Sequence, residues 1–142
     1  MTTTQCEQAI RRYLHSLPDD FEFHHSGNAW PLSTPSTMPD GQGVEIELQA
    51  SPGNRILISD METSINYLYV NGLTLSQALT AKCRQIARQH GASLQRNELT
   101  VHAKPESVAA TVHRAVEAIL AVSKLTQELR TATNTPFEEH AE

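Results

Sequence analysis

Four carboxylates set the first chemical question. Glu45 and Glu47 alternate with apolar residues in Val44-Glu45-Ile46-Glu47-Leu48, while Asp60 and Glu62 follow the apolar run Ile56-Leu57-Ile58. Carboxylates on adjacent strands can hold a magnesium ion that activates water against a phosphate, so the pattern admits a metal-dependent nuclease. Such a site wants a lysine beside its acids, and Glu47 stands where one would be needed. A second reading makes Glu45 and Glu47 the wet face of a strand and Asp60 a helix N-cap, replaceable by asparagine at little cost. On that reading the chain is a binder rather than an enzyme, with the nuclease as the alternative.

Other chemistries find less. Seven histidines are scattered over several elements. His24 and His25, as neighbours on a strand, point to opposite faces, and His90, His102 and His113 have no metal-ligand spacing. Cys6 and Cys83 sit on apolar helix faces far apart in sequence, which suits small buried residues rather than a nucleophile or a redox pair. No Gly-x-Ser-x-Gly elbow and no glycine-rich phosphate loop occurs, and no cofactor is expected. Lys82, Arg84, Arg88 and Arg96 form a basic set without interleaved aromatics, which suits a solvated face.

The elements that must position these residues follow from periodicity. The alternating segment 44–48 and the run 55–58 flank Pro52-Gly53, the residue pair of a type II turn, and so make an antiparallel hairpin. Ser59 and Glu62 have capping-box spacing, and Asp60 is itself a good cap, so a helix starts there and ends at Asn71-Gly72. Its inner face would be Met61, Ile65, Leu68 and Tyr69. Tyr67 and Val70 point away from that face, towards either a neighbouring element or a partner. A second helix runs from Thr74 to His90 with Leu75, Ala78, Leu79, Cys83, Ile86 and Ala87 inward. Upstream lie an amphipathic helix over Thr2–Leu17, a strand over Phe21–His25 and a strand begun by Trp30 and Leu32. Ser33–Gln42, rich in Pro, Ser, Thr and Gly, reads as a surface loop. Downstream, a hairpin turns around Gln95-Arg96-Asn97, and Pro105 opens a long helix to Arg130.

That last helix carries more apolar surface than one sheet face requires. Val112, Ala115, Ile119, Val122, Thr126 and Leu129 make a heptad-like seam, and Val116 with Leu120 widen it on one flank. Either the N-terminal helix covers the flank or a second copy does, in a two-fold dimer. Tyr67, Val70, Val116 and Leu120 are therefore the candidate partner-binding residues.

A resemblance rests on Thr34-Pro35, Ile56-Leu57-Ile58-Ser59-Asp60, Leu68 with Gly72-Leu73, Gly91 and Glu98-Leu99. In that order, from about Trp30 to Leu129, the chain resembles an uncharacterised bacterial and prophage family, the domain of unknown function number eighteen twenty-eight. It departs from the family pattern at Ser36, where an aromatic is usual, and at Met61-Glu62, where an acid or glycine pair is usual. The resemblance implies a phage-related setting and no particular reaction.

The whole chain, 142 residues, is enough for one domain with a proper core and too short for two. The expected architecture is α+β: an antiparallel sheet of four to six strands, covered on one face by helices over 61–71, 74–90 and 105–130. It occupies residues 1–130, followed by a polar tail over 131–142, expected to be disordered. The N-terminus lacks the basic-then-apolar order of a signal peptide and no run is long enough to span a membrane, so the expected compartment is the cytoplasm. Three function classes result: a non-enzymatic binder of phage or mobile-element origin acting on a host nuclease or defence complex, the nuclease above, and a self-assembling structural protein. A net charge of −5 opposes nucleic-acid binding, because a duplex binder must neutralise several phosphates. Titration against random duplex DNA at about 150 mM salt should show no sub-micromolar binding; tight, steeply salt-dependent binding would contradict this.

Overall fold

Alternation of apolar and polar residues along paired strands builds a sheet with one dry face. The computed structural model describes residues 2–129. In chain order these form α1 (Thr2–His15), β1 (Glu22–Phe23), β2 (Ala29–Thr37), β3 (Gly43–Ser51), β4 (Arg55–Ser59), α2 (Thr63–Val70), α3 (Gln77–Gln89), β5 (Ser93–Gln95), β6 (Glu98–Ala103), a 3-10 turn (Pro105–Ser107) and α4 (Val108–Ser123). After a turn at Lys124, residues 125–129 are helical again. The strands make one antiparallel sheet in the order β1-β2-β3-β4-β6-β5. The architecture is α+β, as the periodicity predicts. The polar segment 131–142 lies outside the described residues.

Pairing fixes which side chains share a face. Leu48 lies opposite Ile58, and Ile58 opposite Val101, so one row of buried apolar residues crosses three strands. The next row is Glu47, Ser59 and Thr100, whose side chains belong to the other face. Val44, Ile46, Leu48, Ile56, Ile58, Leu99 and Val101 are all buried. The helical layer packs on that dry face: α4 against β3, β4 and β6, α1 against β3 and β4, α2 against β6, and α3 against β5 and α4. Arg11 of α1 lies over the Trp30 ring at 5.4 Å, and His25 stacks on the same ring at 4.1 Å. Glu45 and Glu47 alternate with the buried residues of β3, and Ser33 Oγ donates to Glu45 Oε2 at 3.0 Å.

Several boundaries differ from the sequence reading. Half of the expected 33–42 loop is strand, since β2 continues to Thr37. Its register against β3 slips between Ser33 and Thr37, a bulge that accommodates Pro35 without breaking the ladder. Thr34 is buried there and donates its hydroxyl to the Val44 carbonyl at 2.9 Å. Expected over 21–25, β1 is only two residues long. Ser76, not Thr74, caps α3, its Oγ accepting from Leu79 N–H at 3.1 Å. That later start leaves Leu75 and Ala78 on the exposed side rather than in the core. The helix expected to start at Pro105 begins with a 3-10 turn, and it breaks at Lys124 after Ser123 has bonded its hydroxyl back to the Leu120 carbonyl.

A sheet covered on one face predicts opposite responses from neighbours on β4. Ile58 is 1 % exposed, so Ile58→Ala should cost about 2–5 kcal/mol. Leu57 is half-buried on the other face, and Leu57→Ala should cost about 1 kcal/mol. Chemical denaturation of both variants measures the difference; equal losses would mean that both faces are covered.

Candidate functional site around helix α2

Where β4 runs out, the chain must turn sharply enough to lay α2 over the edge of β6. Asp60 makes that turn. Its Oδ1 accepts from the backbone N–H groups of Glu62 and Leu99, both at 2.9 Å, and Oδ2 accepts from Ser64 N–H at 3.1 Å. Its own N–H donates to the Leu99 carbonyl at 3.0 Å, and its carbonyl accepts from Thr63 N–H at 3.0 Å and Thr63 Oγ1 at 2.7 Å. One side chain thus joins the end of β4, the backbone of β6 and the first turn of α2.

Asp60 is 1 % exposed. Burial pushes its carboxyl above the ordinary range, opposed by the hydrogen bonds from Ser64, Leu99 and Glu62, which favour the charged form. The Ser64 hydroxyl is itself buried without a well-formed hydrogen bond, although it lies near enough to Asp60 to stabilise the negative charge. Beside it, Ser59 Oγ donates to Glu98 Oε2 and accepts from Met61 N–H at 2.9 Å.

The turn is strained. Met61 and Glu62 both take left-handed backbone, with φ of 54° and 65°. Such conformations cost about 1–3 kcal/mol each for residues with a side chain and persist only where surrounding bonds enforce them. Here the Asp60 and Ser59 acceptors on the N–H groups of Glu62 and Met61 supply that enforcement.

The strained turn displays apolar side chains. Met61, Tyr69, Val70 and Leu75 are the exposed large hydrophobic residues among those described, Tyr69 at 65 % and Val70 at 63 %. All belong to α2 or its two flanking turns. Met61, Tyr69 and Leu75, with Ile65, Asn66 and Asn97, line a hollow of about 350 Å³, and Glu62 stands on its wall. Asn97 is contributed by the two-residue β5–β6 turn, where Arg96 and Asn97 are also left-handed.

The residues singled out from sequence fare differently. Val70 is exposed next to Tyr69 in the chain but does not line the hollow. Tyr67 is buried, at 2 % exposure, and its hydroxyl accepts from Asp40 N–H at 3.0 Å, tying α2 to the β2–β3 turn. Val116 is buried beside Tyr13, Leu17 and Phe21, so the N-terminal segment covers that flank of α4. Leu120 is half-buried in the groove between α3 and α4. The four carboxylates do not converge: Glu45 and Glu47 belong to the open sheet face, Asp60 is enclosed by backbone donors, and Glu62 is exposed on the turn. Among the described residues no group of three or more His, Cys, Asp or Glu could hold a metal ion. Cys6 and Cys83 are buried free thiols whose pKa burial pushes up, which disfavours the nucleophilic thiolate.

Met61, Tyr69 and Leu75 escape the sequence reading because it places all three inside. A helix continuous from Met61 would carry Met61 inward with Ile65, but the left-handed pair takes Met61 out of the helix, whose first residue is Thr63. Tyr69, one turn after Ile65, stays beside it on the wall of the hollow, where Ile65 is 3 % exposed and Tyr69 65 %. Nothing in Asp-Met-Glu-Thr announces two left-handed residues, because glycine and asparagine, the usual signals, are absent.

The family model described as domain of unknown function DUF1828 matches residues 34–122, from the bulge of β2 to the last turns of α4. No curated protein and no solved structure matches the chain.

The geometry at Asp60 changes what its substitution should do. Asparagine can keep one oxygen on its two donors, but its amide NH₂ then faces Ser64 N–H, donor against donor. Asp60→Asn should therefore cost about 1–3 kcal/mol, and Asp60→Ala, which orphans all three N–H groups, more. The raised carboxyl also has a pH signature. Because the folded value exceeds the unfolded one, the native state binds the proton more readily, and stability from this group rises as pH falls through the folded value towards about 4. The stability gap between wild type and Asp60→Asn should widen between pH 7 and about pH 4 in denaturation measurements; a gap that narrows would mean that the hydrogen bonds outweigh burial.

Proposed function

The chain belongs to the DUF1828 family, a membership that assigns no activity, and we propose that it is a binding protein without a reaction of its own, docking another protein on the corner around α2. The observation that carries this reading is the gathering of exposed Met61, Tyr69 and Leu75 around one hollow, with exposed Val70 next to Tyr69 in the chain. Isolated exposed apolar residues are ordinary, whereas a contiguous set with an aromatic and a methionine has the composition of an interface centre. The strained, tightly bonded turn supports the same reading, since it holds Met61 and Glu62 in one arrangement and so reduces the ordering cost of docking.

The setting we propose is a phage or mobile element, with the protein acting in the cytoplasm on a host factor such as a nuclease or defence complex. The family resemblance supports that setting, and the absence of any described helix long and apolar enough to cross a membrane accords with it. A metal-dependent nuclease would need Glu45, Glu47, Asp60 and Glu62 in one place, and the two oxygens of Asp60 already serve three backbone donors.

Val70 and Tyr69 are exposed enough that replacing both by glutamate should change stability by no more than about 1 kcal/mol. Affinity capture from host lysate should retain a defined protein on the wild type and lose it on Tyr69→Glu/Val70→Glu. Capture that survives the double variant would place the docking surface elsewhere. Magnesium-dependent cleavage of DNA or RNA by the purified chain, abolished by Glu45→Gln, would replace this reading with the nuclease.

A further inference from the structure

Along α4 and its continuation runs a stripe that the core does not use. His113, Glu117, Leu120, Ala121, Lys124 and Glu128 recur every three or four residues and fall within an arc of about 100°. All are exposed or half-buried. The turn at Lys124 does not throw Glu128 off the stripe, because Lys124 N–H donates to the Leu120 carbonyl and Glu128 N–H to the Lys124 carbonyl. Leu120, Ala121, Glu117, Lys124 and Glu128 line the α4 side of an open groove of about 610 Å³, whose α3 side includes Lys82, Ile86 and His90.

Order along the stripe is the informative feature. Acid and base are arranged around Leu120-Ala121 so that the sequence is complementary to itself when reversed. We propose that α4 pairs with the α4 of a second copy, antiparallel, about a two-fold axis passing between Leu120 and Ala121. In that register Glu117 lies opposite the second copy's Lys124, His113 opposite its Glu128, and Leu120 opposite its Ala121. Each contact occurs twice by symmetry, as a two-fold interface requires.

Alternative pairings are disfavoured by the same charges. A parallel pair sets each charge against itself. Sliding the antiparallel pair by two helical turns puts Glu117 against Glu117 in one direction and Lys124 against Lys124 in the other. The small side chain of Ala121 at the centre lets the two helices approach, and Leu120 supplies the apolar contact. Within the described part of one chain, the stripe's charges make a single ion pair, His113 Nε2 to Glu117 Oε1 at 3.4 Å, with both side chains half or more exposed. Lys124 and Glu128 have no oppositely charged group within 4.0 Å among the described residues. A stripe that is merely solvated needs no such order. The arrangement keeps Leu120 as a contact residue and dispenses with Val116, which the N-terminal segment covers.

Charge reversal tests the register without threatening the fold, because Glu117 and Lys124 are exposed. Sedimentation equilibrium should find the wild type dimeric at about 100 µM. Glu117→Lys and Lys124→Glu should each weaken the dimer by about tenfold or more, since each reverses two symmetry-related pairs. The double variant Glu117→Lys/Lys124→Glu should restore the homodimer, and an equimolar mixture of the single variants should form a heterodimer. A wild type that stays monomeric at about 100 µM overturns the proposal, as does a dimer indifferent to both single reversals. Single variants that dissociate but are rescued by neither the double variant nor the mixture overturn the register.

Discussion

The fold turns on one buried carboxylate. Asp60 receives three backbone N–H groups from three places: the strained turn, the second residue of α2, and Leu99 of β6. Those of Ser64 and Leu99 would otherwise be orphaned donors in the interior, at about 1–3 kcal/mol apiece. The helix N-terminus adds a favourable partial charge for an anion. Against these stands the cost of removing a carboxylate from water, which raises its pKa. The outcome is a junction in which the start of α2 cannot move without also moving β6, and in which two residues with side chains are held left-handed.

That junction explains the placement of the apolar corner. Because α2 starts at Thr63, its Ser64, Ile65, Tyr67 and Leu68 face inward, and Tyr69 and Val70 are left in water. Tyr67 is then fixed at its far end by the Asp40 backbone. A helix this short has little stability of its own, so its orientation comes from these side-chain bonds and from burial of one face. The exposed face is therefore presented in a defined orientation by bonds made on the opposite side.

Much of the architecture was legible in the sequence, and the reason is periodicity. Val44, Ile46 and Leu48 alternate with Glu45 and Glu47, and that alone assigns a one-faced strand; Gly72 and Gly91 mark helix ends, with φ of 91° and 74°. The α4 seam of Val112, Ala115, Ile119 and Val122 is buried as its spacing predicts. Local patterns failed where a long-range bond decides the conformation. Asp60 reaches Leu99, thirty-nine residues away, and no local pattern around Met61 reveals that the next two residues must be left-handed to permit it. The loop expected over 33–42 failed for a related reason: pairing with β3 overrides the weak strand propensity of Pro-Ser-Thr, and a bulge takes up the mismatch.

The two surfaces are separate in the molecule, and this has a consequence for binding. No residue lining the α2 hollow also lines the groove between α3 and α4. Pairing through α4 therefore leaves Met61, Tyr69, Val70 and Leu75 uncommitted on both copies. A dimer would then carry two equivalent docking corners, and a partner with two copies of its own epitope could bind both. The second contact would be intramolecular, so overall affinity could rise without any new contact type, provided the spacing of the corners matched the partner's. For a surface of three exposed apolar residues lining a hollow of about 350 Å³, modest affinity per corner is the natural expectation. Symmetry would then add what the corner's small area cannot.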